Sequence, residues 1–269
     1  MNGTNIKKLL QEYQIRPNKR LGQNFLIDEN ILNKIVKTAD ISKTDTVIEI
    51  GAGLGNLTQV LAQKAKQVIA IEKDKRLIRI LNNNLKNYKN VKIVQGDILN
   101  TKYEIRNTKY KLVANLPYYI TSPLIRKFLE LKNPPQDMTL LVQKEVAQRI
   151  CAQPPKMNLL TVAVQFYSRP KIANHVSKEH FWPKPKVDSA ILRIKNIEKP
   201  KVDVEKFFKL VKAGFSSPRK QLINNLSRGL DIDKKQIKRA LIKCELDSQT
   251  RAQNLRVNDW LTLVSSILF

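Results

Sequence analysis

The chain has 269 residues, 42% of them hydrophobic, and carries 49 Lys and Arg against 23 Asp and Glu, a formal charge of +26. That suits a folded protein of one large and one smaller domain facing a polyanion: nucleic acid first, with anionic lipid or heparin as alternatives. Cys151, Cys244, His175 and His180 are too few and too scattered for a zinc site, the thiols suit a reducing compartment, and no stretch reads as a membrane span or signal peptide, so a cytoplasmic protein without metal chemistry is expected.

In chain order, the stretch up to Gln14 reads as a short amphipathic helix. From Asp28, a candidate N-cap, Ile31, Leu32, Ile35, Val36 and Ala39 fall at helical spacing. Short, apolar, β-branched runs follow at 46–50, 67–72, 91–95, 111–116 and 138–142, and helical patterns separate most of them. Repeated strand-helix units predict an α/β fold, a Rossmann-like parallel sheet covered on both faces. Ser122 and Pro123 read as the cap and first residue of one of these helices. Further strands are expected near 170–177 and 190–196, with the proline-rich FWPKPKVDS extended between them. Beyond about 199 only helical patterns remain, which divides the chain into an arm (1–27), an α/β body (28–198) and a small all-helical domain (199–269).

The residues at the ends of the predicted strands carry the chemistry. Glu49-Ile50-Gly51-Ala52-Gly53-Leu54-Gly55 follows the first, where glycines let backbone approach a ligand. A bare turn or any nucleotide site fits this pattern, although the last glycine comes one residue sooner than in the dinucleotide fingerprint. Glu72 ends the next strand, where an acid can accept from both hydroxyls of a ribose, and Asp97 follows the third, where it can take the amine of a cofactor's adenine. Read singly, they are a solvated charge and a capping aspartate; read together behind the Gly-rich turn, they favour an adenosine-bearing cofactor.

Asn115-Leu116-Pro117-Tyr118 ends the fourth strand and answers a particular chemical problem. The exocyclic amine of adenine is a poor nucleophile because its lone pair is delocalised into the ring. Attack on a methyl sulfonium needs acceptors for its N–H protons, and the Asn115 side-chain oxygen and the Leu116 carbonyl can serve, with no general base required. Tyr118 offers an aromatic face to a base taken out of its stack. The plain alternative is a strand end and turn that happens to spell NLPY.

Together these residues resemble the KsgA family of small-subunit rRNA adenine dimethyltransferases, from about residue 16 to 260. RLGQNFL (20–26), EIGAGLGNLT (49–58), NLPY (115–118), FWPKPKVDSA (181–190), FSSPRKQLINNL (215–226) and RAQNL (251–255) are similar to that family's signatures. The resemblance implies the class I methyltransferase fold with S-adenosyl-L-methionine as cofactor. It implies that Asn24, Leu26, Gly51, Gly53, Glu72, Asp97, Ile98 and Asn115 line the cofactor and reaction site. Asn115, Leu116 and Tyr118 then act on the target base, with Phe181 as the second aromatic face opposite Tyr118. The implied reaction is dimethylation of two adjacent adenosines near the 3′ end of small-subunit rRNA, by a monomer acting on an immature subunit late in ribosome assembly. The helical domain meets rRNA, with Arg219, Lys220, Arg228 and Arg251 as candidate phosphate contacts or simply a solvated face. The chain departs from the family pattern at 152–159, which is shorter and lacks a tyrosine, and at Gln253, where an acid is usual.

Three other readings compete. Relatives of the Erm resistance methyltransferases share the cofactor and NxPY-type motifs but modify large-subunit rRNA; FSSPRKQLINNL and RAQNL favour the small subunit. A non-catalytic assembly or transcription factor would not need to keep Glu72, Asp97, Asn115 and Tyr118. A DNA adenine methyltransferase more often has an acid or Asn followed by Pro-Pro.

Overall fold

The computed structural model describes residues 3–100 and 109–267. The first two residues of the N-terminal stretch and the last two of the C-terminal helical pattern lie outside them. The chain forms two units. The first holds the described residues up to Ala147 together with Arg169–Ile197, and the second holds Gln148–Ser168 with the described residues from Glu198 onward. Residues 148–168, placed with the sheet by sequence, thus group with the C-terminal helices.

The first unit opens with helix α1 (Gly3–Glu12), a two-residue strand β1 (Phe25–Leu26) and α2 (Glu29–Thr38). Asp28 caps α2 as expected, its Oδ1 accepting from the N–H groups of Asn30 and Ile31. Then come β2 (Thr46–Ile50), α3 (Asn56–Lys64), β3 (Gln67–Glu72), α4 (Lys75–Leu85), β4 (Val91–Gln95), β5 (Lys111–Asn115), α5 (Thr121–Glu130), β6 (Asp137–Gln143) and α6 (Lys144–Ile150), of which the residues from Gln148 count with the second unit. Strand β7 (Arg169–Val176), the short β8 (Phe181–Trp182) and β9 (Ser189–Lys195) complete it. The sheet order is β4-β3-β2-β5-β6-β9-β7.

Every strand run read from the sequence is present, and the pairs from β4 to β6 are parallel. Strand β9 runs antiparallel to both β6 and β7. The proline-rich connection into it contains no crossover helix, so the chain can only turn back. Val47, Val68, Val113 and Leu141, one from each of four neighbouring strands, pack under Ile31, Ile35, Leu57 and Leu61 of α2 and α3. Ile6 and Leu10 of α1 join Phe25, Leu54, Leu77 and Ile80 in a separate apolar cluster that holds the arm.

One cap differs from expectation. Helix α5 starts at Thr121, directly after a 3-10 turn at Tyr118–Ile120, so Ser122 and Pro123 are its second and third residues. Pro123 is tolerated because the first-turn N–H groups of a helix have no acceptor within it.

The second unit is helical: α7 (Leu159–Tyr167), α8 (Val204–Gly214), α9 (Leu222–Leu230), α10 (Lys234–Lys243) and α11 (Val257–Ser266). Phe166 of α7 stacks on Phe207 of α8 with centroids 4.0 Å apart, which accounts for the grouping of 148–168 here. Gly214 lies against Trp260, where a Cβ would come within 2.4 Å of the indole. Asn225 Nδ2 donates to the carbonyls of Gly214 and Ser217, bracing the loop that carries Arg219 and Lys220. Among the described residues no helix is long and apolar enough to cross a membrane.

Candidate active site

After β2 the chain moves outward to β3 and β4, then returns to lay β5 on the other side of β2. Open α/β sheets bind ligands at such a reversal, outside the carboxyl ends of the strands. A cleft lies there, lined by the ends of β2, β3, β4 and β5 and by the arm.

Its floor is the β2–α3 turn. Gly51 and Gly53 have φ of +75° and +60°, which a side chain would strain. The Gly53 N–H donates to Glu72 Oε2 at 2.8 Å, and the Asp74 N–H to Glu72 Oε1 at 2.7 Å. Glu72 therefore pins the turn, and the Lys73 N–H adds to the backbone donors that face its carboxylate. Burial raises its carboxyl above the ordinary range, against the lowering effect of those N–H groups. Asp97, more open, pairs with Lys73 Nζ at 2.8 Å and accepts from the Leu99 N–H; the Lys73 bond is the main cause of its lowered pKa. Lys127 of α5 donates to the Ile98 and Leu99 carbonyls, fixing the loop beside it.

One wall is the arm. Gln23 Nε2 donates to Asp74 Oδ2 at 2.8 Å, and Asn56 Nδ2 to the Leu26 carbonyl at 3.1 Å. Strand β1 pairs antiparallel with β8, setting Leu26 opposite Phe181. Asn24 offers its carbonyl to Asn115 Nδ2 at 3.3 Å.

That last bond orients the Asn115 amide. With Nδ2 turned to the arm, Oδ1 is left as an acceptor, and among the described residues no donor reaches it or the Leu116 carbonyl. The Leu116 N–H continues the pairing of β5 with β6, donating to the Leu141 carbonyl at 3.2 Å. Two adjacent acceptors thus sit on rigid backbone beside Tyr118, whose hydroxyl lies 2.9 Å from Ser189 Oγ. Phe181, 4% exposed, lines the same cleft.

All the residues expected at the cofactor and at the base, from Asn24 to Phe181, line this one cleft. Arg219, Lys220, Arg228 and Arg251 are exposed on the helical unit. Sequence reasoning passed over three residues. Glu49, 1% exposed, lines the cleft; its buried Oε2 has no hydrogen-bond partner, and burial pushes its carboxyl up to about 8, against the lowering effect of the Thr58 hydroxyl and with Glu72 adding to the rise. It was visible only as the first letter of the Gly-rich motif. Gln23 and Ser189 stand inside quoted signatures, but their partners lie 51 and 71 residues away, so nothing local marks them.

A family model described as ribosomal RNA adenine dimethylase matches residues 15–268. A ribosomal RNA small subunit methyltransferase A from Dehalococcoides mccartyi is 45% identical over 264 residues, covering 96% of this chain and 90% of that one. A dimethyladenosine transferase from Plasmodium falciparum superposes with a TM-score of 0.77 at 29% identity, covering 89% of this chain and 95% of that one. The 23S rRNA methyltransferase ErmE superposes with a TM-score of 0.75 at 27% identity, covering 90% and 98%. With the strand-end residues gathered in one cleft and a family match over nearly its whole length, the chain belongs to the ribosomal RNA adenine dimethylase family.

Proposed function

We propose that the protein transfers methyl groups from S-adenosyl-L-methionine to N6 of two adjacent adenosines near the 3′ end of small-subunit rRNA, dimethylating each. In this reading it acts as a cytoplasmic monomer on an immature small subunit. The similarity to a small-subunit methyltransferase supports the choice of subunit. The observation that carries the chemistry is the pair of undonated acceptors, Asn115 Oδ1 and the Leu116 carbonyl, beside an anchored tyrosine.

The cleft suits this cofactor on its own chemistry. Glu72 lines the cleft as a carboxylate acceptor for the ribose hydroxyls, and Asp97 stands at the adjoining strand end for the adenine amine. The unpartnered Glu49 Oε2 is an acceptor for the ammonium of the amino-acid tail. Bound there, S-adenosylmethionine supplies an electrophilic methyl: the nitrogen lone pair forms the N–C bond, sulfur keeps the electrons of the broken C–S bond, and one amine proton passes to water. The chain's part is to hold the base. Asn115 Oδ1 and the Leu116 carbonyl take the two N–H groups and favour a pyramidal nitrogen, so stabilisation is aimed where positive charge develops. Tyr118 and Phe181 supply stacking faces that offset the cost of flipping the base.

The test is transfer of labelled methyl to immature small subunits, with large subunits alongside and nucleoside digestion of the product. N6,N6-dimethyladenosine from small subunits alone is expected. Label confined to large subunits would replace the substrate assigned here, and binding without label would remove the catalytic role.

A further inference from the structure

The aromatic faces Tyr118 and Phe181 come from distant parts of the chain, yet one short stretch holds both. At its start Phe181 is fixed by the pairing of β8 with β1. At its end Ser189 opens β9, 0% exposed, with Oγ 2.9 Å from the Tyr118 hydroxyl. Its backbone pairs on both sides, with Gln143 of β6 and Val176 of β7, so the serine is mounted on the interior of the sheet. A tyrosine ring otherwise moves among rotamers, and tying its far end to a fixed point removes most of that freedom. We infer that Ser189 is a positioning residue for methyl transfer, acting through Tyr118, and that the second methyl on each nitrogen depends on it more than the first.

The asymmetry follows from counting protons, and it rests on the proposed function. In the first round the amine has two N–H groups for two acceptors, Asn115 Oδ1 and the Leu116 carbonyl. Once a methyl has replaced one hydrogen, a single N–H remains and one acceptor goes unused. The second round forms another N–C bond with the same loss of a proton to water, but the base is held by one hydrogen bond fewer. Stacking then carries a larger share of its orientation. A rocking Tyr118 ring therefore costs the second transfer more.

The experiment follows single-turnover methylation of small subunits by the wild type, Ser189→Ala, Tyr118→Phe and the double variant, resolving N6-methyladenosine from N6,N6-dimethyladenosine. In Ser189→Ala the second transfer should slow by roughly tenfold, the net worth of about one hydrogen bond, and the first by less, so the monomethyl product accumulates. Tyr118→Phe should do the same, and the double variant should be no slower than the worse single one. Equal slowing of both rounds, a wild-type product ratio, or a double loss equal to the product of the single losses would overturn the inference. Should Ser189→Ala lose cofactor binding and so prove misfolded, Tyr118→Phe decides alone: accumulated monomethyl product supports the inference and a wild-type ratio overturns it. A wild type that makes no dimethyladenosine on small subunits brings down the functional reading and this inference with it, whereas wild-type dimethylation with unchanged variant ratios overturns the inference alone.

Discussion

Glu49 and Glu72 place two carboxyl groups under the Gly-rich turn, and only Glu72 has its oxygens met by backbone N–H groups. The carboxyl of Glu49, pushed by burial to about 8, keeps its proton in the ligand-free fold at neutral pH, whereas the unfolded chain loses that proton near the ordinary value of 4.5. Between those two values the unfolded state binds fewer protons, so Glu49 makes stability fall as pH rises. Glu49→Gln should remove that component, on the order of a few kcal/mol, leaving unfolding free energies at pH 5 and pH 8 closer together than in the wild type. Urea melts of both proteins decide it, and parallel pH slopes would show that the buried carboxyl does not hold the proton. Asn115→Ala should retain cofactor affinity while transfer falls by about 100- to 1,000-fold, the usual cost of losing one preorganised acceptor or donor. Undiminished methylation in that variant would remove the role of its side chain. That Asn115, Leu116 and Tyr118 share one cleft was legible in the sequence because they are contiguous at a strand end. Glu49 was not, because its burial arises from strands on either side of β2 that are remote in sequence.

Among the elements, those with a strong local period were readable: β2 to β6, and α2 with its Asp28 cap. The β1–β8 pair was not, since two residues carry no periodicity and their register is set by a partner more than 150 positions away, Phe25 opposite Trp182. Helix α7 also went unassigned. Its sequence LLTVAVQFY is rich in β-branched and aromatic residues, and the Asn158 cap together with stacking of Phe166 on Phe207 override that preference. The arm shows the same dependence on distant partners. Asp74 caps α4 through Oδ1, which accepts from the Arg76 N–H, and receives Gln23 of the arm through Oδ2. Asp74→Ala should therefore cost about 1–3 kcal/mol in a urea melt, from the lost cap, the lost part-buried bond to Gln23 and the lost ion pair with Arg76. Adding Gln23→Ala to that background should cost nothing more for their shared bond, and fully additive losses would show that the arm is held without it.

For the whole molecule, fold alone does not choose the substrate: ErmE, a 23S rRNA methyltransferase, superposes about as well as a dimethyladenosine transferase, with TM-scores of 0.75 and 0.77. The small-subunit reading rests on likeness in sequence, 45% identity to a ribosomal RNA small subunit methyltransferase A, and in the helical unit Asn225 braces the loop that exposes Arg219 and Lys220. The net charge of +26 was readable from composition, but which cations touch phosphate is not a local property, because a solvated face and a binding face have the same residues. Counterion release separates them. The logarithm of affinity for small-subunit particles should fall linearly with the logarithm of salt concentration, and each cation that neutralises a phosphate contributes roughly 0.7–0.9 to that slope. Replacing Arg219, Lys220, Arg228 and Arg251 one at a time by Gln should lower the slope by about that amount for each true contact, with cofactor affinity unchanged. A slope that stays at the wild-type value in all four variants would place the phosphate contacts on other cations and leave this face to solvent.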